Sequence, residues 1–256
     1  RQTCGPPVDV VDSTLSYSAD MDSPARAERP HVLVTGASRG IGRAIAEELG
    51  RDWHVLVGGT TREGVDAVVA TLPSAEPFVA DLADEEATAA AAARLTTLDA
   101  LVHSAGLAGG GRIADLTRED LRRIFEVNVF AVADLTRLLL PLLRASHDGH
   151  VVALNSGSGL GRGTAGSTAY NGSKHALRIL TDALREEERG SIRVTSIHPG
   201  RTDSDMQRTL QARLGNDYDA AKFIRPEAVA ELVRTALETS PEAQLEMLSI
   251  RPVITS

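Results

Sequence analysis

Short β-branched runs alternate with longer Ala-, Leu-, Arg- and Glu-rich stretches of helical period along nearly the whole chain, and this alternation constrains the fold more than any other feature. Strands are expected at residues 31–35, 53–57, 77–80, 98–103, 149–155, 191–197 and 245–250. Helices are expected at 40–50, 63–72, 84–95, 117–145, 168–189 and 226–239, the fourth opening with a Thr117/Asp120 capping box. Alternation at this spacing predicts an α/β chain, a doubly wound parallel sheet of about seven strands with helices on both faces, because a parallel crossover needs a helix-length connection. The crossovers should be right-handed. Neither a repeat nor a linker interrupts residues 31–256, so one domain is expected there. Residues 1–30 carry Gly5, Pro6, Pro7, Pro24 and Pro30 without a sustained apolar period, and a flexible extension is expected. That stretch lacks the apolar segment of a secretory signal, and Met21 is a candidate natural start.

Charge and composition then remove several classes of function. There are 35 acidic against 27 basic residues, a net charge of −8, with no basic stripe, which argues against nucleic acid as a partner. No apolar run reaches membrane-span length, and a cytoplasmic location is expected. Cys4 is the single cysteine, which excludes a disulfide framework and a Cys-built zinc site within one chain. No metal is expected.

Residues 35–42 read Thr-Gly-Ala-Ser-Arg-Gly-Ile-Gly, between the first strand and the first helix. Gly36 permits a sharp turn, Gly40 a close approach of phosphate to the backbone, and Gly42 close helix–strand packing. The helix N-terminus would offer Ser38, Arg39, Gly40 and Ile41, free N–H groups and a positive dipole end to a pyrophosphate. A mere Gly-rich turn is the alternative. On this spacing the chain resembles the short-chain dehydrogenase/reductase family, whose motif T-G-x-x-x-G-x-G is matched by Thr35, Gly36, Gly40 and Gly42. The resemblance implies a single-domain Rossmann fold and a nicotinamide dinucleotide. An acidic residue ending the second strand would hold the ribose 2′-OH of NAD. Gly58, Gly59, Thr60 and Thr61 stand there, followed by Arg62, with Arg39 inside the turn. Cations and hydroxyls suit a 2′-phosphate and favour NADP over NAD, unless Arg39 and Arg62 are solvated surface charges.

The same resemblance assigns adenine contact to Asp81, beside Leu82. It also aligns His103-Ser104-Ala105-Gly106 with the family's Asn-Asn-Ala-Gly, where Ser104, Ala105 and Gly106 leave room for the cofactor. His103 departs from the family, and a buried neutral imidazole is expected to take over the bracing of the first Asn. Pro199-Gly200 matches the family's Pro-Gly near the carboxamide, with Ser204 replacing the usual Thr.

Tyr170-Asn171-Gly172-Ser173-Lys174 puts a phenol and an ammonium on one helix face. A nearby cation lowers a tyrosine pKa, as a general acid or base requires. Only Lys174 and Lys222 are lysines among the 27 basic residues, so a lysine at this spot is informative. A surface Tyr–Lys pair is the alternative. In the family, a serine at the end of the fifth strand bonds the substrate carbonyl; Ser156 fits better than Ser158, having Gly159 three residues on. Asn128 falls on the apolar stripe of helix 117–145, and a buried amide must be hydrogen-bonded. The resemblance makes it the holder of a proton-relay water; a structural amide satisfied by neighbouring backbone is the alternative.

The implied reaction is hydride transfer between NADP(H) and the carbonyl or hydroxyl carbon of a small substrate. Tyr170 would be the acid/base, Ser156 would polarise the carbonyl, Lys174 would orient the ribose and tune Tyr170, and Asn128 would complete the proton path. The segment Leu248–Val253 lacks a Gly-Gly, which points away from ketoacyl reductases and towards reductases of small hydroxy acids, dicarbonyls or other free carbonyls. A polar flap is expected over 201–224, where Arg201, Arg208 and Arg213 meet an anionic substrate or are simply solvated. A homodimer or homotetramer through helices 117–145 and 168–189 is implied. The rival is a non-catalytic NADP-binding regulator or scaffold; a sugar-nucleotide epimerase would need a longer chain.

Overall fold

The alternation folds into one seven-stranded sheet, parallel throughout. In the computed structural model, which describes residues 29–253, the strands are β1 (His31–Val34), β2 (His54–Gly59), β3 (Ala75–Val79), β4 (Ala100–His103), β5 (His150–Leu154), β6 (Arg193–Pro199) and β7 (Met247–Ile250). Their order is β3-β2-β1-β4-β5-β6-β7. The helices are α1 (Gly40–Leu49), α2 (Arg62–Val69), α3 (Glu85–Ala92), α4 (Arg118–Phe125), α5 (Ala131–Ala145), α6 (Thr168–Glu187), α7 (Asp205–Arg213) and α8 (Pro226–Leu237). Residues 1–28, most of the expected extension, lie outside the described residues.

Period-two alternation in β1 builds both cores. Val32 and Val34 join α1 and α8 through Ile45, Leu49, Val229 and Val233. Leu33, between them, joins the opposite layer with Leu135, Leu139, Leu143 and Leu184 of α5 and α6. Strands β4, β5 and β6 are buried along their whole length, as a sheet covered on both faces requires. Arg234 of α8 clasps α1 through Glu48 Oε1 at 2.8 Å and Asp52 Oδ1 at 2.9 Å.

The order reverses at β1, which pairs with β2 on one side and β4 on the other. The connections leaving these strands diverge, and a crevice opens at their carboxyl ends. Strand β2 runs two residues beyond the expected 57, through Gly58 and Gly59. A Cβ on Gly58 would stand 2.7 Å from Val34 O, so only glycine lets β2 pass the end of β1 this closely. Strand β3 starts two residues before the expected 77 and carries Pro77 in its middle, which an edge strand tolerates.

Two expectations are corrected. Residues 117–145 are not one helix: after the Thr117/Asp120 capping box and α4, a π turn at Glu126–Phe130 precedes α5. A π turn inserts one residue into the helical ladder, a change that apolar periodicity does not register. The polar flap segment 201–224, for which no helix is expected, holds α7, capped by Ser204, and a short 3-10 turn at Ala220–Lys222.

His103 is buried at the end of β4, with Nε2 2.8 Å from Thr136 Oγ1. The Thr136 hydroxyl donates to Val132 O, so His103 Nε2 is the donor in that pair. His150 is held in the same way against Thr195 Oγ1 at 2.9 Å. Burial holds both imidazoles neutral, with pKa values lowered to about 3. In the unfolded chain each takes a proton below about pH 6.5, so this part of the stability is present above that pH and is lost as pH falls. These two groups should contribute a slope approaching two protons, about 2.7 kcal/mol per pH unit, to urea denaturation between pH 7 and 5. His103→Asn should remove one proton from that slope; an unchanged slope would contradict the assignment.

Candidate active site

Thr35, the residue after β1, ties the crevice walls together. Its hydroxyl donates to Val102 O and accepts from the N–H groups of Ser104 and Ala105, each at 3.0 Å. Gly36 and Gly40 have φ of +64° and +57°, in the left-handed region that favours glycine. A Cβ on Gly42 would stand 2.3 Å from Gly36 O, and one on Gly36 2.8 Å from Ala105 Cα. Helix α1 then starts at Gly40 with no side-chain cap on its free N–H groups.

These residues line a cleft of about 860 Å³. Among the expected cofactor residues, its walls contain Gly36, Ser38, Arg39, Gly40, Ile41, Gly42, Thr60, Asp81, Leu82, Ser104, Ala105, Gly106 and Ser204. Arg62, Tyr170, Lys174, Pro199 and Gly200 are not among the lining residues. Arg62 is paired with Asp66 one turn along α2 at 2.8 Å, and Gly200 N–H is bonded to Ile250 O. The Ser204 hydroxyl is engaged in capping α7, accepting from Gln207 N–H and donating to Thr202 O. An uncapped helix start beside the crowded Gly36 and Gly42, the open Gly40 and a run of small residues fits a dinucleotide, since the pyrophosphate needs free N–H groups and no Cβ in its way.

Helix α7 closes the other side with Met206, Leu210 and Leu214 at four-residue spacing. Of the three flap arginines, Arg208 is bonded to Asp203 and lies over Tyr218, and Arg201 lies over Phe223. Arg213 faces the cleft, as does Arg123 of α4.

Tyr170, Lys174, Ser156 and Asn128 come together behind Gly106. A Cβ there would stand 3.3 Å from Asn128 Oδ1 and 3.8 Å from Lys174 Nζ, so this glycine is the thin wall between cleft and cluster. Lys174, buried on α6, donates from Nζ to Leu154 O at 3.0 Å and lies 6.0 Å from the Tyr170 ring centroid. Burial lowers its pKa to about 8. The Ser156 hydroxyl is near enough to the Tyr170 phenol to favour its ionised form. Ser158 supplies only its backbone N–H, donated to Ser156 Oγ at 3.1 Å.

The expected lowering of the Tyr170 pKa is corrected. Burial raises it above its ordinary value, and the Ser156 hydrogen bond offsets only part of that. Low dielectric penalises the phenolate directly, whereas the Lys174 ammonium points at a backbone carbonyl.

Asn128 sits in the π turn with its amide heavily committed. Oδ1 accepts from Leu107 N–H at 2.8 Å, and Nδ2 donates to Leu107 O at 2.9 Å and Ser173 Oγ at 3.0 Å. Both Nδ2 protons are used, leaving one lone pair on Oδ1. Neither Leu107 nor Ser173 was singled out by the sequence; Ser173 could have been found as the small polar residue inside the Tyr–Lys segment.

Among the described residues, no cluster of His, Cys, Asp and Glu could hold a metal ion, and no helix is long and apolar enough to cross a membrane. The short chain dehydrogenase family profile matches residues 30–215. An uncharacterized short-chain type dehydrogenase/reductase of Sinorhizobium fredii is 34% identical over 226 residues, 86% of this chain and 90% of that one. Dehydrogenase/reductase SDR family member 11 of Bos taurus is 31% identical over 86% of this chain and 94% of its own. A short chain dehydrogenase of Shigella flexneri complexed with NADP superposes with a TM-score of 0.79 at 27% identity, covering 87% of this chain and 97% of that one.

Asn128→Ala should leave Leu107 N–H and C=O without partners, at about 1–3 kcal/mol for each unpaired group. Chemical denaturation should therefore show one of the larger losses of any single-residue change in the chain. A loss under about 1 kcal/mol would mean that Leu107 is held by other contacts.

Proposed function

Because the chain belongs to the short-chain dehydrogenase/reductase family of oxidoreductases, we propose that it is an NADP-dependent reductase of small carbonyl compounds with Tyr170 as its general acid/base. The observation that carries this reading is the buried Lys174 held 6.0 Å from the Tyr170 ring centroid, behind the Gly106 wall of a cleft suited to a dinucleotide. The glycine turn and the start of α1 would hold the pyrophosphate, and Asp81 and Leu82 the adenine. Arg39, Ser38 and Thr60 would meet the 2′-phosphate. When bound, the nicotinamide supplies the hydride that adds to the carbonyl carbon.

The protein's own groups do the rest. Ser156 holds the carbonyl oxygen beside the phenol and polarises it. Tyr170 gives its proton to that oxygen as the hydride arrives, and the phenolate is reprotonated before the next turnover. A phenol with a raised pKa keeps its proton until the developing alkoxide draws it away. Lys174, largely ammonium at neutral pH, would be the cation facing the resulting phenolate and the hydroxyls of the ribose. Asn128 keeps Leu107 and Ser173 in place, and its free Oδ1 lone pair is what remains for a relay water.

A cytoplasmic homodimer or homotetramer is part of the same reading. Phe130 and Ile179 expose 53% and 58% of their surfaces on the helical face where subunit packing is expected. A non-catalytic regulator would be expected to have lost the Tyr–Ser–Lys cluster, which is intact here.

The test follows NADPH consumption at 340 nm against a panel of carbonyl compounds. Tyr170→Phe should fold and bind NADPH but lose about 10²–10⁴-fold in kcat. Full turnover in that variant would remove Tyr170 from the chemistry, and cofactor binding without turnover on any compound would favour the regulator.

Coenzyme choice has its own test. Arg39 is exposed at the cleft and loosely paired with Asp205 at 3.4 Å, so its guanidinium can exchange that partner for a phosphate. Arg39→Ala should weaken NADPH binding about tenfold and leave NADH binding unchanged, the loss expected for one charge-assisted hydrogen bond. Equal losses for both coenzymes would rule out a 2′-phosphate contact.

A further inference from the structure

We propose that His198 is a positioning residue: its imidazole holds the backbone carbonyl of Ser156 and so sets where the Ser156 hydroxyl stands relative to Tyr170. The proposal rests on the roles given above to Ser156 and Tyr170.

The backbone ladder between β5 and β6 ends with Asn155 N–H donating to Ile197 O at 2.7 Å. Ser156 is the first residue beyond it, where the chain leaves the sheet in an extended conformation and turns into the 3-10 turn Gly157–Gly159. Its carbonyl accepts from Gly159 N–H within the turn at 2.9 Å and, from the neighbouring strand, from the His198 side chain at Nδ1, also at 2.9 Å. His198 is fully buried, and its other ring nitrogen lies 2.9 Å from Ser196 Oγ, two residues back on the same face of β6. A carbonyl can only accept, so Nδ1 carries the hydrogen and Nε2 accepts from the Ser196 hydroxyl. One tautomer is thereby selected, and both imidazole nitrogens are used.

The brace is held from behind. Arg251, just after β7, donates from Nη1 to His198 O at 2.6 Å and to Ile250 O at 3.0 Å. A Cβ on Gly157 would stand 2.9 Å from its Nη2. The end of β6, the C-terminal segment and the turn after Ser156 are thus locked around one guanidinium. Burial together with Arg251 and Arg178 lowers the His198 pKa, opposed by the Ser156 hydrogen bond and Asp182, and the ring is the neutral form that this bonding needs. Ser156 Oγ accepts from Ser158 N–H and Gly159 N–H ties the carbonyl within the turn, but His198 alone reaches Ser156 from β6 among the hydrogen bonds of the described residues. A shift of its backbone would move the hydroxyl that aligns the phenol.

His198→Leu removes the donor at similar bulk. His198→Asn places an amide nitrogen where the imidazole has Nδ1 and can donate the same bond. Both are compared with wild type for thermal stability, NADPH affinity, kcat and KM. Tyr170 is titrated by ultraviolet difference absorbance, with Tyr170→Phe as the blank. The leucine variant should lose about 100-fold in kcat with KM and NADPH affinity within about threefold, the pattern of a misplaced catalytic group. Its Tyr170 should titrate at higher pH than in wild type. The asparagine variant should recover kcat to within about fivefold, one hydrogen bond's worth, and return the titration towards wild type. A folded leucine variant with wild-type kcat and an unmoved Tyr170 titration overturns the proposal. Should that variant not fold, Arg251→Ala tests the same brace from behind: reduced kcat at constant KM supports it, and unchanged kcat overturns it. If wild type reduces no carbonyl, the reading of Tyr170 as an acid fails; the titration still decides the role of His198, because it reports the influence of Ser156 on the phenol without turnover.

Discussion

Everything at the candidate site depends on how closely three backbone segments pass each other at the carboxyl end of β1. Gly58 slides past Val34 O, Gly42 packs on Gly36 O, and Gly36 packs on Ala105, each at a separation that leaves no room for a Cβ. The Thr35 hydroxyl then bridges to the start of the loop after β4. These contacts hold apart the connections that leave β1 and β4 and aim the first turn of α1 into the gap between them. Side-chain specificity for a ligand is secondary to this, because the cleft exists only where the main chain has been brought so near itself.

Behind the cleft the dominant force is dehydration. Burial raises the pKa of Tyr170 and lowers that of Lys174, so it works against charge on both. What keeps the cluster ordered is hydrogen bonding to backbone: Lys174 to Leu154 O, Asn128 to both polar groups of Leu107, His198 to Ser156 O. Preorganised polar groups in a dry site stabilise charge as it develops without first having to reorient. Glycine at 106 keeps this cluster, with Asn128 and Lys174 buried and Ser156 and Tyr170 half-buried, within reach of the cleft.

The fold was legible because its signals are periodic. Val32, Leu33 and Val34 alternate between two cores, and every expected strand appears within a few residues of its place. Tyr170, Lys174 and Ser156 were legible because a helical spacing and a strand end place them. Four things were not. The π turn around Asn128 leaves the apolar stripe nearly undisturbed, so residues 117–145 read as one helix. Helix α7 is short and polar, and its apolar face is recognisable only against the cleft it covers. The direction of the Tyr170 shift depends on how deeply the phenol is dehydrated, whereas i,i+4 spacing specifies only that an ammonium is near. His198 and Arg251 belong to the same group, since their partners lie 42 and 53 residues away in the chain.

Pro77 has a consequence at the far margin of the sheet. Ala80 N–H and Ser74 O bond inward to β2, and polar groups alternate sides along a strand, so residues 75, 77 and 79 turn their amides outward. The middle one has no hydrogen to give. A foreign strand laid along this border would find its ladder broken at the centre, which discourages growth of the sheet from one molecule into the next. The rim that takes no part in chemistry is thereby protected from the self-association to which a bare parallel edge is prone.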